Sequence, residues 1–342
     1  MAEPITAVVA IIGGTLAAFG GLGAALVRVE KRRFRAREQA WEAFAAHIGG
    51  TYTPGNESVW RRSFGTIVVE RDHVRVRIAC YTVSGGDSQV PFTHCQAQWA
   101  LGAGPRVRLA RKGFKHRVGE VLGQTDVSLG DAPFDAQFAL RVQPEAAAWL
   151  LREAWPPSSL QDLRLNFSRA ELTTEGRTLS LVWPGHEKDM ARLGRAADHL
   201  IRLAGAGLGP LRAASRLPDA QVAWPSGRWN ARTTPQAVLR RGPTLATLHY
   251  RDHRWRIAGS LAESWPGFTA SVNAVGEPVG SWPRGLLPEG VGSRRALAGA
   301  HVVGRAPELS MELTSPPDAA ALVAALDLLV RAGRAPSGGA FR

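Results

Sequence analysis

Lysine is nearly absent from this chain: Lys31, Lys112, Lys115 and Lys188 are the only lysines among 42 basic residues, and arginine supplies the rest. A net charge of +13 and a pI near 11.0 ordinarily point to anionic partners such as nucleic acid or acidic lipid. Yet a chain rich in Ala, Gly and Arg and poor in Lys is also what GC-rich coding produces, so charge alone assigns no partner. Cysteine is equally scarce. Cys80 and Cys95 are the only two, which excludes a disulfide framework and any need for an oxidising compartment.

Several chemical signatures are missing as well. The sequence holds no P-loop, no G-x-S-x-G elbow and no EF-hand loop. His186 and Glu187 begin like H-E-x-x-H, but Met190 stands where the second histidine belongs. Cys80, His94 and Cys95, with His73 or His116, lack two close ligand pairs, and the neighbours His94 and Cys95 point to opposite faces of a strand. No catalytic residue, metal or cofactor is assigned.

What is present begins at the amino terminus. Residues 5–27 contain no charge and are long enough to cross about 30 Å of hydrocarbon as a helix. The acid in MAEP and the lack of Lys or Arg before Ile5 argue against a cleaved signal peptide. Arg28, Lys31, Arg32, Arg33, Arg35 and Arg37 flank the other side, so the positive-inside rule places the amino terminus outside and the body in the cytoplasm. The expectation is a single-pass protein of a bacterial inner membrane, with a basic juxtamembrane helix over 28–49 touching the acidic leaflet. Ala17, Gly21 and Ala25 form a small-residue stripe that admits self-association.

With 342 residues, 45% of them hydrophobic, two domains are expected. Beyond Gly50 the pattern is alternating strands between Gly and Pro clusters. RDHVRVRIA at 71–79 returns as RDHRWRIA at 251–258, with Val76 and Ile78 matched by Trp255 and Ile257 facing inward. Phe92-Thr93 returns as Phe268-Thr269. A strand, a Pro-containing break and an amphipathic helix follow from Leu179 and again from Leu309, matching Asp189 to Asp318, Leu193 to Leu322 and Asp198 to Asp327. The expected fold is α+β: a transmembrane helix, then two related antiparallel-sheet modules at 50–204 and 236–334, each closed by a helix. Residues 205–235 are read as a linker and 335–342 as a disordered tail. The SGGDSQ turn after β-like 66–83 is expected to centre on Asp87 and Ser88, which sets Cys80 across from Cys95 as core thiols.

Five of the 11 tryptophans precede proline (Trp155, Trp183, Trp224, Trp265 and Trp282) and read as strand ends capping the core. Outward Arg75, Arg77, Arg254 and Arg256 give the sheets basic faces. A spanning helix, Trp41 leading into GGTY at 49–52, a hairpin, and FDAQF at 134–138 together resemble uncharacterised single-span bacterial membrane proteins with a cytosolic α+β domain. That resemblance implies architecture and no activity. The functional expectation is a non-enzymatic, membrane-tethered interaction or scaffold module with a protein partner on its basic faces. The alternatives are a membrane-anchored hydrolase using His73, His94 or Asp135 between the modules, and a binder of anionic lipid or nucleic acid. Nothing resembling a helix-turn-helix or an RNA-binding aromatic motif accompanies the charge.

Overall fold

A computed structural model describes residues 28–333 except 30, 56–63, 86–87, 103, 114–125, 225–235, 242–243, 252–253, 261–267, 284–285, 287–289, 306 and 314. The uncharged stretch at 5–27 and the tail at 335–342 therefore lie outside the described residues. Among the described residues no helix is long and apolar enough to cross a membrane. The helix expected over 28–49 is present as α1, residues 31–47. Phe34, Trp41, Phe44 and Ala45 bury its inner stripe, and Gly49 at φ +69° ends it in the left-handed conformation that glycine adopts without strain.

Two eight-stranded antiparallel sheets follow. The first comprises β1 (Thr51–Thr53), β2 (Thr66–Arg71), β3 (Val74–Gly85), β4 (Ser88–Gln98), β5 (Arg106–Arg111), β6 (Phe138–Gln143), β7 (Glu171–Glu175) and β8 (Thr178–Pro184). The second comprises β9 (Gln221–Ala223), β10 (Gln236–Arg241), β11 (Thr244–Arg251), β12 (Arg254–Ser260), β13 (Phe268–Val272), β14 (Pro278–Gly280), β15 (Ala300–Arg305) and β16 (Glu308–Leu313). Their spatial orders are β1-β2-β3-β4-β8-β7-β5-β6 and, read from the matching edge, β9-β10-β11-β12-β16-β15-β13-β14. Adding eight to each strand number of the first order reproduces the second.

The internal repetition is therefore a property of the fold, but its alignment differs from the phrases that announce it. Arg71-Asp72-His73 joins β2 to β3, whereas Arg251 ends β11 and leads to β12, one hairpin further along. The fold-equivalent of Arg71 is Arg241, at the end of β10. Both arginines make the same ion pair with the closing helix of their half: Arg71 with Asp198, and Arg241 with Asp327 at 2.8 Å. Phe92 on β4 and Phe268 on β13 are likewise not equivalent. Short basic alternating strands resemble one another whichever hairpin they occupy, so phrase similarity misaligned them; the closing helices, with more positions to compare, aligned correctly.

Those helices are α5 (Met190–Ala204) and α8 (Ala319–Ala332). Each starts at an aspartate cap: Asp189 accepts from the backbone N–H of Ala191 and Arg192, and Asp318 from Ala321. α5 packs on β3, β4 and β8, and α8 on β10, β11, β12 and β16. Period-two alternation supplies the facing surface, with Val74, Val76, Ile78 and Cys80 buried on β3 and Trp255 and Ile257 on β12. α2 (Ala132–Gln137) leads directly into β6, and between β6 and β7 run α3 (Trp149–Ala154) and α4 (Pro157–Asn166); α7 (Val291–Ala296) lies between β14 and β15.

The stretch read as a linker, 205–235, is folded in its described part. α6 (Gly209–Ala214) packs on β10 and α8 with Leu208, Leu211 and Ala214 buried, and β9 pairs with β10. Its Gly and Pro content suggested a tether, but its leucines carry the apolar surface that decides burial. The hairpin register also differs by two residues. Ile78 pairs with Cys95 and Cys80 with Thr93, so the two free thiols sit diagonally, both buried.

Candidate functional site

The four outward arginines share their orientation but not their surroundings. Arg254 and Arg256 flank Glu312 on β16: Arg254 approaches it at 3.2 Å, and Arg256 donates a hydrogen bond to it. These hydrogen bonds, Arg256 first, hold the Glu312 carboxyl below its ordinary pKa. The second sheet's basic pair thus shares one carboxylate, which neutralises one of its two charges. On the first sheet Arg77 is exposed and has no carboxylate partner among the described residues, while Arg75 is half-buried with a buried Nε. Arg77 stands opposite Gln96, and His94 opposite Ala79, on the same outward face. Burial, then the charge of Arg77, lowers the pKa of His94. The two pairs also lie on strands that are not equivalent, β3 and β12, so they are not two copies of one site.

The outward face of the first sheet runs on into an arm. β3 pairs with β2 only as far as Ala79, and β4 pairs with β8 only from Phe92 onward. Beyond these limits the two long strands pair only with each other among the described residues. Tyr81 opposes and stacks on Phe92 at 5.7 Å, and Val83 opposes Val90. Tyr81, Val83 and Val90 are 40%, 47% and 42% exposed, an apolar strip where a solvated ribbon would carry polar side chains. The alternation that placed Arg75 and Arg77 outward places these residues on the same side.

The histidines and aspartate proposed as a catalytic set are not brought together. His73 sits in the left-handed β2–β3 turn and stacks on Trp224 at 4.2 Å. Asp135 accepts from Ser128 Oγ at 2.6 Å and from the backbone N–H of Leu129 and Gly130, organising the approach to α2 that Asp131 caps. His94 lies on the outward sheet face. Glu187, from the incomplete zinc-protease pattern, accepts from Trp183 Nε1 and the N–H groups of Lys188 and Asp189, and pairs with Arg192. It orders the start of α5. Among the described residues no group of three or more His, Cys, Asp or Glu could hold a metal ion.

A polar cluster that sequence reading missed lies between α4 and α5. His199 Nε2 meets Asp162 at 2.7 Å, Arg195 approaches Asp162 at 3.5 Å, and Arg202 donates to Ser159 Oγ at 2.8 Å. These groups line a cleft of about 170 Å³. The heptad-like spacings Ser159, Asp162, Asn166 and Arg195, His199, Arg202 were the available signal. Burial outweighs Asp162 and lowers the pKa of His199. Its Nδ1 is buried without a hydrogen-bond partner, and the Ser159 hydroxyl is engaged by arginine. The cluster joins two helices and contains no serine-to-histidine hydrogen bond, which a nucleophile needs.

No protein-family model and no curated protein matches the chain. A solved structure, the crystal structure of the mycobacterial trehalose monomycolate transport factor A, aligns with 50% of this chain and 94% of that one at 10% identity and a TM-score of 0.31. A likeness at that level carries no argument about fold or activity.

Proposed function

We propose that the chain is a membrane-tethered, non-enzymatic interaction module, held to a bacterial inner membrane by residues 5–27, whose cytosolic body binds an acidic protein partner. The observation that carries this reading is the outward face of the first sheet, where exposed Arg77 stands beside Gln96 and His94 with no carboxylate partner among the described residues. A cation kept unpaired on a flat strand face serves recognition and encounter rate more than stability. Glu312 removes the equivalent argument from Arg254 and Arg256. The absence of an assembled nucleophile and base in the His199 cluster adds nothing to an enzymatic alternative.

The test is capture of the full-length protein from gently solubilised membranes, comparing wild type, Arg75→Gln with Arg77→Gln, and Arg254→Gln. A stoichiometric protein is expected with wild type and Arg254→Gln at low salt, and is expected to be lost from the first-sheet variant. Recovery of the chain alone, or of a partner indifferent to all three arginines, would contradict the reading.

A further inference from the structure

The arm formed by β3 and β4 and the start of α1 leave the molecule at the same end. Just past the end of α1, Gly50 packs near Val68 and Val69 in the middle of β2. Moving back toward the amino terminus, Trp41 reaches His186 at 5.2 Å, Glu38 accepts from the backbone N–H of Gly65 at 3.2 Å, and Phe34 meets Phe64 at 6.5 Å. His186 follows Gly185, whose N–H donates to Pro91 at the base of the arm at 2.7 Å. The helix therefore approaches its buried seat from the arm's end of the sheet.

The reaches are similar. From Trp41 back to Lys31, α1 rises about 15 Å at about 1.5 Å per residue. From Phe92 to Ser88 the arm extends about 13 Å at about 3.3 Å per residue. Lys31, Arg32, Arg33 and Arg35 are exposed on that part of α1, Arg28 is exposed ahead of it, and residues 5–27 are uncharged. Tyr81, Val83, Val90 and half-buried Phe92 occupy the arm at the end of the sheet toward which this cationic segment runs.

We propose that the arm is a second membrane contact, laying Tyr81, Val83, Val90 and Phe92 on the headgroup region of the same acidic leaflet that the first turns of α1 touch. Aromatic and β-branched side chains suit that layer, and the neighbouring arginines supply attraction to acidic lipid. The run from Ser84 to Gln89 is polar and includes Asp87, so the arm lies at headgroup depth and does not enter hydrocarbon tip first. A body held at two points keeps one orientation, with the Arg77 face standing just beyond the membrane contact. This inference rests on the tether reading.

The experiment uses full-length protein in vesicles of phosphatidylethanolamine and phosphatidylglycerol with brominated acyl chains, carrying one fluorophore at Ala17→Cys, Val83→Cys or Glu175→Cys. The native thiols are buried and resist labelling, the Cys80 thiol being pushed up to about 11 by burial. Glu175 is exposed at the opposite end of the sheet, where β7 turns into β8. The Ala17 and Val83 labels are expected to lose most of their emission relative to unbrominated lipid, while the Glu175 label keeps its own. Quenching at Ala17 without Val83 would overturn the arm contact and leave the tether standing. No quenching at Ala17 would overturn the tether, and the arm contact with it. Equal quenching at Val83 and Glu175 would show an unoriented body and also overturn the arm contact.

Discussion

At the residue scale, burial sets the charge of four histidines more than their neighbours do. Desolvation is the largest influence on His94, His186, His199 and His249, and it lowers the pKa of each from 6.5. The unfolded chain therefore takes up protons before the folded one does. Their contribution is fully present above about pH 6.5 and is lost as pH falls through the depressed folded values. The urea midpoint is expected to decline between about pH 6.5 and about pH 5, and a His199→Gln variant to decline less steeply; a midpoint that rises over that window would contradict the assignment. None of this was legible in the sequence. Isolated histidines carry no sign of their burial, and the helical spacings of Asp162 and His199 mark a polar stripe on each helix without saying that the two stripes meet.

At the scale of the element, legibility followed the length of the pattern. α1 was readable because Phe34, Trp41 and Phe44 repeat at helical spacing and Gly49 stops them; α5 and α8 were readable from their aspartate caps and apolar stripes. The short helix α6 was not, since six residues hold fewer than two turns and its burial depends on what it meets. The strand alternation gave inward and outward faces correctly, but the β3–β4 register slipped because a Gly-rich turn sets no unique centre. The docking of α1 is itself testable. Trp41 is 2% exposed and its indole N–H donates to the Glu187 carbonyl at 3.4 Å. Trp41→Ala is expected to cost about 3–5 kcal/mol in urea unfolding and to expose the juxtamembrane segment to protease. A loss below about 1 kcal/mol would mean that α1 is not part of the core.

For the whole molecule, the fold says more than the sequence about duplication and less about partners. Two sheets with one strand order, closed by capped helices and pinned by Arg71–Asp198 and Arg241–Asp327, make the repetition structural. The halves have nonetheless diverged where chemistry would sit. One keeps Arg77 without a carboxylate partner among the described residues, on an outward face that continues into an apolar arm, whereas the other sets Glu312 between Arg254 and Arg256. In the proposed function, recognition belongs to the first sheet alone. Its most direct test is a photo-crosslinking side chain placed at Gln96, opposite Arg77, in the full-length protein in intact cells, with the same group at Thr269 on the second sheet as comparison. A discrete adduct with one other protein from Gln96, absent from Thr269 and lost in the Arg77→Gln background, is the predicted result. No protein adduct from Gln96, or the same adduct from both sheets, would contradict the central claim.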